Sequence, residues 1–222
     1  MIVESFPVGP LQCNCVVLGD EATREAIVID PGDEAERIEE TLDHYRLHLK
    51  HVVHTHGHID HILAANHLRT ARQPEVAIHE ADLFLWEGVQ MQAAWLGLQV
   101  GPAGPIDRFL KEGEAIPFGP HRLTVIETPG HTPGSVCFLL SKAAGSGSSA
   151  PLLFSGDTLF QHGIGRTDLW GGSYPSLERS ILRRLYTLDE ETLVRPGHGP
   201  DTTIGEEMRN NPFVTSLHGG SE

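Results

Sequence analysis

Three histidines and one aspartate fall within seven residues, THGHIDH, at positions 55–61. The segment follows a strand-like apolar run, LKHVVH, and precedes helical spacing from about residue 62 to residue 71. Packing does not account for this density, because each buried polar side chain needs a partner or it costs free energy. A strand, a ligand-rich loop and a helix in this order indicate a layered α/β protein with a metal site.

The spacing of these side chains favours two metal ions. His56 and His58 are separated by one residue, so in an extended loop they project to the same side and can bind one divalent ion. Asp60 and His61 lie one step further along the chain, where the helix is expected to start. A single tetrahedral ion does not accommodate all four groups, which predicts two neighbouring ions that each need further ligands.

Three later segments offer those ligands. His131 in ETPGHTPGS, Asp157 in FSGDTLF and His198 in RPGHG each follow a strand-like run beside Gly or Pro. Any one of them alone is more often a capping or turn residue, but loops at strand ends converge in a layered sheet protein. A carboxylate has two oxygens, so Asp157 can bridge two cations. The predicted site has seven ligands for two metals.

The rest of the chain is predicted to form alternating strands and helices. Helices are expected at residues 33–46, 80–98 and 174–188, and strands at 121–127 and 135–140. Residues 141–150, SKAAGSGSSA, are interpreted as a hairpin loop, so residues 1–222 form one predicted domain. The remaining histidines are interpreted as structural or solvated, among them His44, His48, His51, His67, His121 and His218.

Composition narrows the choice of partners. The formal net charge of -14 argues against nucleic acid, since binding to a phosphate backbone needs a basic surface. No basic leader and no long apolar run are present, which predicts a cytoplasmic protein that does not bind membranes. The odd number of cysteines, Cys13, Cys15 and Cys137, fits a reducing compartment. Cys13 and Cys15 are interpreted mainly as core thiols, with a redox or metal role as the alternative.

Four ordered motifs, THGHIDH, TPGHTPGS, SGDTLF and PGHG, resemble those of the metallo-β-lactamase superfamily, in particular its glyoxalase II-like hydrolases. The resemblance extends from the first strands to His198 and implies an α/β fold, the αββα four-layer sandwich. It also implies a ligand assignment. One metal is assigned to His56, His58 and His131, the other to Asp60, His61 and His198, with Asp157 bridging.

The resemblance implies hydrolysis of a thioester such as S-D-lactoylglutathione by a hydroxide that bridges two divalent ions. Asp60 is expected to orient that water or accept its proton, and zinc is the first choice of metal, with iron and manganese as alternatives. Asp60 is also interpreted as an argument against a β-lactamase. The short segment after His198 lacks the helical glutathione-binding domain of longer glyoxalase II enzymes, so the glutathione requirement is open.

The segment QHGIGRTDLWGGSYP, at residues 161–175, is a candidate wall of the substrate cleft. Arg166 is predicted to meet a substrate carboxylate, with a structural ion pair to Asp168 as an equal alternative, and Tyr174 is a second candidate contact.

Two rival functions remain. The GRTD run also resembles persulfide dioxygenases of the same superfamily, which use one iron, here on His56, His131 and Asp157 by resemblance. A nuclease or a metal-binding module of the same fold is the third alternative, against which the acidic balance and the intact ligand set argue. The sequence leaves the oligomeric state open.

Overall fold

The computed structural model describes residues 1–141 and 150–214. The chain divides into two compact units. Unit 1 comprises Met1–Leu110 and Ile116–His121, and unit 2 comprises Lys111–Ala115 and Arg122–Glu222. The prediction that the chain forms one domain stays a prediction. No helix in the described parts of the chain is long and apolar enough to cross a membrane.

Unit 1 contains a six-stranded sheet in the order β1-β2-β3-β4-β5-β6. Its strands are β1 (Ile2–Val8), β2 (Cys13–Gly19), β3 (Glu25–Ile29), β4 (His48–Val53), β5 (Glu75–His79) and β6 (Arg108–Leu110). The first three pair antiparallel and the last four pair parallel. The last two residues of β4, Val52 and Val53, are buried, so the histidine-rich segment that follows begins in the interior of the unit.

Along the chain, the helices of unit 1 lie between consecutive parallel strands. They are α1 (Ala35–His44), α2 (Ile59–Ile62), α3 (Ala65–Arg72), α4 (Leu83–Glu87) and α5 (Val89–Trp95). The helix predicted for residues 33–46 is confirmed by α1, whose fully buried Ile38 and Leu42 belong to the hydrophobic core of this unit. The next helix begins at Ile59, one turn earlier than predicted, so Asp60 and His61 lie on a helical turn.

The single helix predicted for residues 80–98 is wrong. A 3₁₀ turn (Glu80–Asp82) precedes α4, and α4 and α5 are separated at Gly88. At this glycine the backbone φ and ψ are -83° and 9°, and an added Cβ would lie 2.8 Å from the Phe84 carbonyl oxygen. The apolar spacing continues across this break, which is why the sequence pattern alone does not locate it.

Unit 2 contains strands in the order β14-β13-β10-β9-β8, in which β10 and β13 are parallel and the other pairs antiparallel. Their bounds are β8 (His121–Glu127), β9 (Val136–Leu140), β10 (Leu152–Gly156), β13 (Leu193–Pro196) and β14 (Thr202–Thr203). The strands predicted at 121–127 and 135–140 are thereby confirmed. Strand β7 (Ala115–Phe118) contains a point where the chain passes between the units, and β11 (Leu159–Phe160) pairs with β12 (Gly163–Ile164).

The described residues of unit 2 form two α-helices, α6 (Tyr174–Ser180) and α7 (Ile204–Asn210). The first contains Pro175 in its first turn, as predicted, and continues as a π-helical turn, Ile181–Leu185. Its buried Leu177, Ile181 and Leu185 form part of the core of this unit. The predicted hairpin loop at 141–150 lies largely outside the described residues, although the flanking strands β9 and β10 do pair antiparallel.

Candidate metal centre

The histidine-rich segment of unit 1 follows the carboxyl end of β4. His56, His58 and His61 are buried, and Asp60 is partly exposed. Possible ligand atoms of His56 lie within 4.8 Å of those of both His58 and His61, and the same limit holds between Asp60 and His61. Four possible metal ligands of this unit therefore lie close together.

A buried hydrogen-bond network fixes the orientation of two of these imidazoles. Asp30 accepts bonds from the Thr55 backbone N–H at 2.7 Å and from the Thr55 hydroxyl at 2.6 Å. Its Oδ2 also lies 3.0 Å from His61 Nδ1, and the Thr55 oxygen lies 3.1 Å from His56 Nδ1. Because the Thr55 proton is donated to Asp30, both imidazoles donate from Nδ1, and this tautomer puts the lone pair on Nε2.

Close backbone packing holds the turn that bears Asp60. A Cβ added at Gly32 would lie 1.7 Å from the Asp60 carbonyl oxygen, so only glycine permits this approach. The Pro31 carbonyl oxygen accepts a bond from Ala64 N–H at 2.9 Å. The segment after β3 therefore supports both the tautomers and the backbone of the histidine-rich segment.

Gln92 of α5 and Asp82 clamp the loop between His56 and His58. The Gln92 amide accepts from Ile59 N–H at 3.0 Å and donates to the carbonyl oxygens of Gly57 at 3.0 Å and Leu85 at 2.8 Å. Asp82 accepts from Gly57 N–H at 2.8 Å. Both side chains are buried, and the sequence pattern, which predicts one helix over residues 80–98, gives no sign of this role.

Replacing Gln92 by methionine is expected to lower the free energy of unfolding by about 3 kcal/mol, because three buried backbone groups lose their partner. Since the loop then holds its imidazoles less rigidly, metal affinity is expected to fall about tenfold. Chemical denaturation and competitive metal titration measure the two effects. The same change at exposed Gln90 of α5 is the control. Lower stability with unchanged metal affinity would contradict the positioning role.

Cys13 and His54 lie behind this loop. Cys13 and Cys15 are buried thiols of the unit 1 core, which confirms the structural interpretation of the pair. Burial raises the pKa of Cys13 to about 12, so its Sγ, 3.4 Å from His61 Nδ1, stays protonated at neutral pH. Burial lowers the pKa of His54 to about 4, and the neutral ring donates from Nδ1 to the His61 carbonyl oxygen at 3.1 Å.

Unit 2 brings together the other three predicted ligands. Strands β10 and β13 are parallel, so Asp157 and His198 follow their carboxyl ends at the same edge of the sheet. Asp157 Oδ2 lies 3.6 Å from His131 Nε2 and 3.7 Å from His198 Nε2. His131 donates from Nδ1 to the Arg166 carbonyl oxygen at 2.8 Å, which again puts the lone pair on Nε2.

These separations suit ligands of a shared ion better than hydrogen bonds. A hydrogen bond between nitrogen and oxygen needs about 2.7 to 3.2 Å. Two ligands about 2.1 Å from a tetrahedral ion are about 3.4 Å apart. The 3.7 Å between His61 Nε2 and Asp60 Oδ2 in unit 1 falls in the same range as the two distances in unit 2. Nε2 lone pairs beside carboxylate oxygens therefore fit divalent metal ions.

A glycine also shapes the unit 2 half of the site. A Cβ added at Gly165 would lie 1.9 Å from the Asp157 carbonyl oxygen and 3.1 Å from His131 Cβ. The segment from Gly165 to Arg166 thus packs directly against two candidate ligands, and the Arg166 backbone contributes through its carbonyl group. The motif GRTD predicts a role for the Arg166 side chain and gives no sign of this role of its backbone.

The side chains of Arg166 and Tyr174 have partners within unit 2. The Arg166 guanidinium donates to both oxygens of Asp168, at 2.7 and 2.9 Å, as in the structural alternative. This pair is exposed, so it is worth little to stability. The Tyr174 hydroxyl donates to the Phe213 carbonyl oxygen at 3.0 Å. The substrate contacts predicted for both residues stay predictions.

Comparison with known proteins agrees with this picture. The sequence profile of the metallo-beta-lactamase superfamily matches residues 8–198. Hydroxyacylglutathione hydrolase GloC of Haemophilus influenzae is 39% identical over 97% of this chain and 99% of its own. The B3 metallo-beta-lactamase BLEG-1 has a similar structure, with a TM-score of 0.86 and 37% identity over 97% of this chain and 100% of its own. The protein TTHA1623, crystallised in a di-iron-bound form, has a TM-score of 0.81 and 38% identity over 94% and 98% of the two chains.

The structural similarity confirms the predicted α/β sandwich fold. BLEG-1, a B3 metallo-beta-lactamase, is 37% identical to this chain, and the prediction from Asp60 that this chain is not a β-lactamase stays a prediction. TTHA1623, a protein of similar structure, binds two iron ions in its di-iron form.

Proposed function

The chain belongs to the metallo-beta-lactamase superfamily, and we propose that it is a dinuclear metal-dependent hydrolase that cleaves thioesters. Metallo-hydrolases and a hydroxyacylglutathione hydrolase are among its relatives. Enzymes of other specificity, such as the metallo-beta-lactamase BLEG-1, have a similar structure, so the residues of the site and not the fold support this function.

In this proposal the two half-sites act together. His56, His58 and His131 would hold one divalent ion, Asp60, His61 and His198 would hold the other, and Asp157 would be a ligand of both. The observation that carries the proposal is the common hydrogen-bond arrangement of His56, His61 and His131, each of which donates from Nδ1 and directs its lone pair to Nε2. Neutral imidazole in this tautomer is a good ligand for zinc, iron and manganese.

When bound, the two ions lower the pKa of a water molecule towards neutrality and polarise the carbonyl group under attack. The protein residues supply orientation and proton transfer. Asp60, whose side chain is 19% exposed, remains accessible to solvent and can accept a proton from the attacking water at a carboxylate oxygen. Asp30 keeps His61 in the required tautomer and Gln92 keeps the loop in place.

A thioester is the proposed substrate class because its thiolate leaves readily and needs no strong general acid. Two features support a small, carbonyl-containing substrate: the similarity to a hydroxyacylglutathione hydrolase and the set of ligands that suits hydrolytic metals. A mononuclear iron dioxygenase acting on persulfides and a metal-binding module of the same fold are the alternatives that an experiment has to separate.

The test combines metal analysis with a substrate panel. Purified protein is expected to bind two equivalents of zinc, iron or manganese and to hydrolyse thioesters, with S-D-lactoylglutathione in the panel. Removal of the metal by a chelator is expected to abolish hydrolysis, and addition of the metal is expected to restore it. One equivalent of iron with oxygen uptake on glutathione persulfide would overturn the proposal in favour of the dioxygenase. Hydrolysis of a β-lactam without hydrolysis of any thioester would show that the substrates are β-lactams and not thioesters.

A further inference from the structure

Unit 1 contains a cavity of about 910 Å³ that has Asp60 in its wall. The turn between β1 and β2, the helix α3 and the segment after α5 supply the other walls. The volume falls within the range of roughly 300–1,000 Å³ that small-molecule sites occupy. Asp60 is a proposed metal ligand, so a molecule in this cavity can extend from the reaction centre.

The wall of the cavity is mainly apolar and contains leucines that water reaches. Leu11, Leu96 and Leu98 are 48%, 50% and 41% exposed, although they come from two separate segments of the chain. Ile59, Leu63 and Val100 continue the apolar lining. Single exposed leucines are ordinary, but several that converge on one concave surface are typical of a binding site. An apolar ligand would remove this surface from water.

The charges around the cavity disfavour an anionic occupant. Among the residues that the structure describes, its lining includes the acidic residues Asp33 and Asp60 and neither lysine nor arginine. His67, which also lines it, lies with Nε2 3.0 Å from Glu39 Oε1. The chain has a net charge of -14, so it repels anions in general. This lining therefore offers no lysine or arginine to the carboxylates of a glutathione moiety.

We propose that this cavity receives an uncharged apolar chain of the thioester substrate. The inference rests on the proposed function and specifies its substrate class: thioesters with an alkyl chain, in preference to thioesters of small polar acids with glutathione. The chain can belong to the acyl group or to the thiol, since both are attached to the carbonyl centre that Asp60 adjoins.

Two series of thioesters test this proposal on the metal-loaded protein. One lengthens the acyl group from acetyl to octanoyl on N-acetylcysteamine, and the other lengthens an alkyl thiol on an acetyl group. In one of the series kcat/KM is expected to rise about threefold for each buried methylene group, and the longest member is expected to exceed S-D-lactoylglutathione. The series that rises identifies the arm that occupies the cavity.

Substitutions at the exposed rim separate binding from folding. Leu11→Asn and Leu98→Asn are each expected to reduce the ratio of kcat/KM for the longest substrate to kcat/KM for the acetyl substrate at least threefold. Met91→Asn is the control, because Met91 is 57% exposed on α5 and does not line the cavity. Isothermal titration with the non-hydrolysable N-octyl acetamide and N-methyl octanamide gives a binding readout that needs no turnover.

The outcomes distinguish the inference from the function on which it rests. Hydrolysis of all thioesters without a dependence on chain length, or the highest rate with S-D-lactoylglutathione, would overturn the inference and leave the hydrolase intact. Binding of an octyl amide that Leu98→Asn weakens, without hydrolysis of any thioester, would support the apolar site and overturn the proposed function.

Discussion

Asp157→Ala is expected to reduce kcat/KM for thioester hydrolysis on the order of a thousandfold and to lower the bound metal from two equivalents to one or fewer. In the proposed site Asp157 bridges both ions, and its Oδ2 lies 3.6 Å from His131 Nε2 and 3.7 Å from His198 Nε2. Its loss removes a negative ligand from each ion. A loss of about 4 kcal/mol of charge stabilisation corresponds to a rate effect of this size.

In the absence of metal, the Asp157→Ala variant is expected to fold as well as the native protein, because the Asp157 side chain takes no part in the backbone pairing of β10. Circular dichroism and thermal melting in the presence of chelator measure this. Asp168→Ala is the matched control, since it removes the same charge from an exposed position of unit 2. Two retained equivalents of metal in Asp157→Ala would contradict the bridging assignment.

The sequence was sufficient to predict the fold class and the candidate ligands because both depend on local patterns. His131, Asp157 and His198 each follow a strand-like run, and this pattern predicts that they lie at the edge of a sheet. Parallel pairing of β10 and β13 then brings Asp157 and His198 together. Candidate ligands that lie in short sequence motifs can therefore be predicted from the sequence.

Residues that act through long-range hydrogen bonds were not predicted. Gln92 lies 33 positions from Ile59, from whose N–H it accepts a bond, and Asp30 lies 31 positions from His61. In the sequence Gln92 is one polar residue of an amphipathic stretch, and Asp30 ends a strand before Pro31. The start of α2 at Ile59 also depends on a long-range hydrogen bond. The side-chain amide of Gln92, in α5, accepts the bond from the Ile59 N–H, the first of this helix.

A signal for Asp30 does exist in the sequence. The strand EAIVI is followed by Asp30-Pro31-Gly32, which places a carboxylate directly after a buried strand and two positions before a glycine. Asp30 adopts a left-handed conformation, with φ of 50°, in which Asp and Asn are the most readily tolerated residues after glycine. The candidate metal ligands also follow strand ends. A polar residue directly after a strand is therefore a candidate to hydrogen-bond to a neighbouring ligand.

Asp30→Asn is expected to weaken metal binding 10- to 100-fold and to lower activity at least as much, although the substitution keeps the size and backbone conformation of the residue. The asparagine oxygen can still accept from Thr55 N–H, as Asp30 Oδ1 does at 2.7 Å. Its amide group then takes the place of Oδ2, which lies 3.0 Å from His61 Nδ1. A donor there requires Nδ1 to accept, so the proton moves to Nε2 and His61 no longer offers a lone pair to the metal.

Comparison of Asp30→Asn with Asp30→Ala separates the tautomer effect from the loss of packing. Asp30→Ala leaves three buried donors without an acceptor and is expected to lower the free energy of unfolding by about 3 kcal/mol, and Asp30→Asn by about half as much. Metal titration, urea denaturation and the ¹⁵N chemical shifts of the His61 ring in the metal-free protein measure these effects. Because asparagine actively favours the wrong tautomer, we expect it to impair metal binding as severely as alanine while destabilising the fold less. Strong metal binding by Asp30→Asn, with the His61 proton still on Nδ1, would show that the carboxylate does not select the tautomer.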